Sequence, residues 1–163
     1  MKHPSKWRNS HPVGTGPFLL KDFSPENISC VRSPRYGQTG LPRVAGVNLF
    51  VTHDLSLLLD IADAIAIMYA GRLVEPAPAG EILRGPRHPY TQGLTRSFPG
   101  LTGEKVRMSG IPGSPPDLTD LPTGCRFHPR CPKAMARCRT EDPVWRSDGV
   151  RGAACHLVEG MGR

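Results

Sequence analysis

Aromatic side chains are scarce in this 163-residue chain, at 6%, whereas glycine and proline number 18 each. Large rings dominate the area that cores bury, and glycine and proline interrupt regular elements. A large continuous core is therefore excluded, and the length suits one ordinary domain or two small modules. No apolar run is long enough to span a bilayer, and the N-terminus lacks the charged, apolar, small-residue order of an export signal. A cytoplasmic setting is expected, where thiols stay reduced and clustered cysteines point to metal ahead of disulfides. The net charge of +7 is dispersed, without the basic stripe and interleaved aromatics of a nucleic-acid surface, so no nucleic-acid partner is expected.

The charge is uneven along the chain. Residues 1–47 are strongly basic, 48–85 acidic, 86–120 near neutral and 121–163 basic again. That patchwork suggests joined segments, and the expected division follows it: 1–47, 48–85, a Pro/Gly-rich connector over 86–120, and a cysteine-rich extension over 121–163. In the first segment "PFLLKDF" and "NISCV" flank the turn "SPEN" and predict one β-hairpin. Cys30 lies in it as an unpaired thiol. "VNLFV" predicts a buried strand, and Leu55, Leu58, Leu59 and Ala62 then recur at helical spacing with Asp54 as a potential N-cap. "AIAIMYAGRLVE" predicts a second hairpin turning at Ala70-Gly71. "AGEILRG" predicts a short helix stopped by Gly85 and Pro86, and "HPYTQGLTRSF" another with Pro89 in its first turn. From Phe98 to Thr123 proline and glycine predict an extended connector.

Two groups of residues carry chemistry. His53, in "THD" after the predicted strand, sits where α/β units bind ligands. Cys125, Cys131, Cys138 and Cys155 are too widely spaced for paired C-x-x-C knuckles, yet four thiolates suit either a tetrahedral zinc ion or an iron–sulfur cluster. Arg126, Arg130, Lys133, Arg137 and Arg139 crowd the same stretch and are expected to offset cluster charge and to favour thiolates. His128 and His156 are potential substitute ligands, with Phe127 and Trp145 expected to pack over the site.

The run "LFVTHDLSLLLDIADAIAIMYAGRLVEPAPAGEIL", followed by "PRHPYTQGL", "IPGSPPDL" and "GCRFHPRCPKAMARC", resembles the ATP-binding subunits of ABC importers for oligopeptides and dipeptides over about residues 48–157. The resemblance implies an α/β fragment: the C-terminal strands and helices of a nucleotide-binding domain, then a small irregular cysteine-rich metal module. It implies that His53 is the switch histidine contacting the γ-phosphate, that Asp54 lies beside it, and that the four cysteines hold a 4Fe-4S cluster, with zinc as the alternative. ATP and Mg²⁺ belong to the intact family. Implied partners are the importer's permease subunits and a second ATP-binding subunit, at the inner face of the cell membrane. The chain has no Gly-x-x-x-x-Gly-Lys-Ser/Thr string to cradle phosphates, no apolar strand ending in Asp-Glu and no "LSGGQ"-type signature. A truncated or fused subunit without autonomous ATP hydrolysis is therefore expected, the alternative being a stand-alone iron–sulfur or zinc module. Residues 11–47, with "GTGPF" and "RSPRY", resemble a piece of a periplasmic peptide-binding protein.

Overall fold

The computed structural model describes residues 16–97 and 110–158. Its backbone forms two compact units, Met1–Asp54 and Leu55–Arg163.

In the first unit, β1 (Phe18–Phe23) and β2 (Asn27–Arg32) form the predicted hairpin, with Leu19 opposite Val31 and Phe23 opposite Ile28. The Ser24 Oγ accepts the Asn27 N–H at 3.0 Å and closes the turn. The "VNLFV" strand forms as β3 (Gly46–Phe50), but it is not buried: every residue of it is exposed. It pairs antiparallel with β2, Cys30 opposite Val47, giving a sheet of order β1-β2-β3. None of residues 16–54 is buried. An apolar run marks a strand well enough, but burial needs a second layer to pack on it, and the three strands alone supply one.

The second unit has the core. Helix α1 (Leu55–Ile61) buries Leu55 and half-buries Leu58 and Leu59, the predicted stripe. Strands β4 (Ala64–Tyr69) and β5 (Arg72–Pro78) pair antiparallel. Their two-residue turn is Ala70-Gly71, with φ of +47° and +75°, the left-handed pair that a tight hairpin demands. Along β4 burial alternates strictly, Ile65, Ile67 and Tyr69 facing in. Strand β5 departs from alternation. Its register slips at Val74, so that Val74 and Glu75 both turn inward, Glu75 opposite Ile67. A bulge does this by placing two residues against one.

Helix α2 (Ala79–Arg84) ends at Gly85, and α3 (Pro89–Arg96) starts at the predicted proline with His88 as N-cap. Ile82 of α2 is fully buried. The cysteine-rich stretch is built of 3-10 turns at His128–Arg130, Ala136–Arg139 and His156–Val158, and of a small hairpin, β6 (Trp145–Ser147) with β7 (Gly152–Ala154). Strand β7 lies against β5. The rings of Tyr69, Tyr90 and Phe127 meet with centroids 4.7–5.4 Å apart, where α3, β4 and the cysteine stretch join. Trp145 stands apart from that group and stacks over Gly152, where an added Cβ would come within 2.1 Å of its ring. Part of the predicted connector, 98–109, lies outside the described residues; from Gly110 to Thr123 the chain has no helix or strand.

Truncating Ile82 to Ala removes a side chain with no solvent access. A loss of about 2–5 kcal/mol is expected, read as a lower urea midpoint in far-UV circular dichroism.

Candidate functional site

The site begins with a carboxylate. Glu75, turned inward by the bulge, has no exposed surface. Its Oε1 accepts the Arg87 N–H at 2.7 Å and its Oε2 the His88 N–H at 2.8 Å. The two bonds fix the turn that leads into α3. Arg151, just before β7, approaches the same carboxylate at 3.9 Å, pairs with Glu81 at 3.0 Å and donates to the Gly85 carbonyl. Arg87 in turn donates to the Arg151 carbonyl at 3.2 Å and pairs with Asp148. The Arg151 backbone N–H, donating to Asp148 Oδ1 at 2.7 Å, and after it the Arg87 guanidinium hold Asp148 well below the usual carboxylate range. One buried acid thereby ties β5, the entry to α3 and the β6–β7 hairpin together.

His88 is 1% exposed. Its Nδ1 accepts the Tyr90 N–H at 3.0 Å, and its ring lies 5.7 Å from that of Phe127. Burial pushes its pKa down to about 4, because the charged imidazolium loses its hydration. The ring is therefore neutral at physiological pH.

Cys125, Cys131, Cys138 and Cys155, brought from a span of thirty residues, line one small cavity together with His88 and Phe127. His128, His156, Lys133, Pro89 and Leu157 also line it. Local bonds explain the convergence. The Cys125 N–H donates to the Cys138 carbonyl at 2.9 Å, and the His128 N–H to the Cys125 carbonyl at 2.9 Å. Gly124 makes the first contact possible: its φ is +67°, and a Cβ there would sit 2.6 Å from the Cys138 carbonyl oxygen. The Cys138 Sγ accepts the Met135 N–H at 3.4 Å.

The expectation for the basic residues is corrected. Arg126 donates to the Ala70 carbonyl at 2.6 Å, Arg130 to those of Pro112 and Ile111, and Arg137 to that of His156. These guanidiniums fasten loops, and of the five cations named from sequence it is Lys133 that lines the cavity. Three of the thiols are shifted away from thiolate. Burial pushes Cys125 and Cys131 up, and Cys155 up to about 11, with the other cysteines adding to the effect. Among the described residues, no three His, Cys, Asp or Glu side chains are grouped to hold a metal ion. The metal module expected over 121–163 is thus not formed as a coordination sphere. The donor chemistry is present, four soft sulfurs around one cavity, but the ligating form is the thiolate, and burial favours the thiol.

His53 and Asp54 lie at the end of the first unit, both exposed, between β3 and α1. The Asp54 N–H donates to Thr52 Oγ1 at 3.1 Å. Sequence reasoning missed Glu75 and His88. A proline at position 76 inside a strand pattern hints at irregular pairing, but nothing in the sequence says that the bulge turns an acid inward.

Two expectations follow. Between pH 6.5 and 4 the unfolded chain binds a proton at His88 that the folded chain refuses, so stability is full above pH 6.5 and falls with pH below it. His88→Gln should remove about 1.4 kcal/mol of that loss per pH unit, measured as urea midpoints at pH 7 and pH 5. Gly124→Ala should separate Cys125 from Cys138, and rapid alkylation of both thiols in the folded protein, against slow alkylation in wild type, checks it by mass spectrometry.

Residues 74–138 match the family described as oligopeptide/dipeptide transporter, C-terminal region. The chain is 46% identical over 112 residues to the dipeptide transport ATP-binding protein DppD of Caldanaerobacter subterraneus, covering 68% of this chain and 34% of that protein. Against DppD of Escherichia coli it is 44% identical over 110 residues, 66% of this chain and 33% of the relative. The oligopeptide transport ATP-binding protein AppD of Bacillus subtilis is 43% identical over 115 residues, 70% and 35% of the two chains. The chain spans about a third of the length of these relatives. The family match begins beyond residues 11–47, and the receptor-like reading of that segment finds no support. Through its C-terminal region, then, this chain is homologous to the ATP-binding subunits of dipeptide and oligopeptide ABC importers.

Proposed function

We propose that this chain acts within the ATP-binding machinery of an ABC importer for dipeptides or oligopeptides, contributing the segment around His53 and the C-terminal cysteine-rich region. The observation that carries the reading is the identity of 43–46% across about two thirds of the chain. In this reading the chain works at the inner face of the membrane, beside the permease subunits and a second ATP-binding subunit. His53 meets the γ-phosphate and Asp54 lies next to it; their exposure is compatible with that role. Phosphoryl transfer is achieved by positioning and charge stabilisation, and the 163 residues contain no P-loop string. The polypeptide alone therefore does not hydrolyse ATP.

The convergence of Cys125, Cys131, Cys138 and Cys155 on one cavity supports a second element. These residues would hold a 4Fe-4S cluster, with zinc the alternative. Such a group supplies folding energy through its thiolate bonds and releases the thiol protons as it binds. Because a four-iron centre divides its thiolates among four irons, it does not need three sulfurs around a single ion.

Phosphate release by the purified chain should stay at the buffer background, and His53→Ala should leave it there. Co-expression with the permease and partner ATP-binding subunits of a peptide importer should yield a complex that co-purifies; a chain recovered without them in every case overturns the importer reading. Iron and acid-labile sulfide near four each per chain, measured on protein purified without oxygen, are expected, with loss of both in Cys131→Ser. Zinc in their place overturns the cluster assignment.

A further inference from the structure

Three histidines line the cysteine cavity, and two of them spend a ring N–H on the backbone. His128 Nδ1 lies 3.0 Å from the Cys125 carbonyl and His156 Nε2 lies 3.0 Å from the Glu141 carbonyl. A carbonyl oxygen only accepts, so each of those nitrogens carries its proton and donates it. His88 is wired in the opposite sense. Its Nδ1 accepts the Tyr90 N–H, so the neutral ring carries its proton on Nε2, the nitrogen turned away from its own helix. The side chain is enclosed, and its backbone N–H is held by Glu75 at 2.8 Å. Phe127 flanks the ring. Position and tautomer of one N–H donor are thus set at the wall of a cavity that four cysteines also line.

We propose that His88 donates its Nε2–H to a sulfur of the centre held by Cys125, Cys131, Cys138 and Cys155, and so sets that centre's reduction potential. The inference rests on the cluster reading above and adds to it a residue that the four ligands do not include. Hydrogen bonds to the sulfurs are among the terms that tune such potentials, because they favour the state carrying more negative charge. Glu75 acts here as the positioning residue: it holds the backbone from which the imidazole projects. Lys133, the cation on the same wall, is engaged with the Gln92 side chain at 3.0 Å and does not substitute for an oriented donor.

The test uses the full chain loaded anaerobically with iron and sulfide. His88→Ala should favour the oxidised form by about tenfold, a fall of about 59 mV for one electron. His88→Gln, whose amide can still donate, should recover most of that shift. Equal potentials in wild type and His88→Ala, both fully loaded, overturn the inference and leave the cluster reading intact. Wild-type chain that takes up neither iron nor sulfide overturns the cluster reading and the inference with it. Should His88→Ala fail to fold, the wild type decides: deuterium electron–nuclear double resonance on the reduced, histidine-¹⁵N-labelled protein in D₂O should show an exchangeable deuteron coupled to the cluster and bound to a histidine nitrogen. Its absence overturns the assignment.

Discussion

The second unit depends on a single buried carboxylate. Glu75 has no exposed surface, and its two oxygens are used by the backbone N–H groups of Arg87 and His88. Taking a carboxylate out of water costs several kcal/mol unless its lone pairs are satisfied. Satisfying them here requires the chain to turn toward β5 immediately after Pro86. The same acid draws Arg151, whose bonds to Glu81 and Gly85 bring the segment before Cys155 against α2. Removing the acid would thus free both the entry to α3 and the strand that leads into Cys155.

The cavity shows how burial and charge compete. Cations crowd the sequence around the cysteines, and a charge count alone predicts depressed thiol pKa values. A guanidinium with a fixed fork of donors finds backbone carbonyls within reach, and Arg126, Arg130 and Arg137 are used in that way. What remains at Cys125, Cys131 and Cys155 is mainly desolvation, which opposes the charged form. As uncharged thiols these three share the cavity at little electrostatic cost. Any group that binds them must displace their protons.

Three aromatic rings have a corresponding place. Tyr69, Tyr90 and Phe127 come from three separate stretches; Tyr69 meets Phe127 edge to face and Tyr90 is tilted against both, contacts that add to the area they bury. Phe127 is 2% exposed and touches both this group and the cavity. These rings join the cysteine stretch to the core that α1, β4, β5 and α2 build from Leu55, Ile65, Ile67, Val74 and Ile82.

Much of the local structure was legible because it depends on neighbours in the chain. The Ala70-Gly71 turn follows from a left-handed pair, α3 from Pro89 at its start, and α1 from the spacing of Leu55, Leu58 and Leu59. The candidate ligands were legible as residue types, and so was the resemblance to peptide-importer ATP-binding subunits. The burial of β3 was misread, because an apolar run shows that a strand can be covered and not that anything covers it. Tertiary structure alone decided the inward turn of Glu75, the neutral state and tautomer of His88, the use of the arginines on carbonyls and the meeting of four distant cysteines. Each of these depends on what lies across space from a side chain: register, desolvation and hydrogen-bond partners are set by segments far apart in sequence, and no local pattern encodes them.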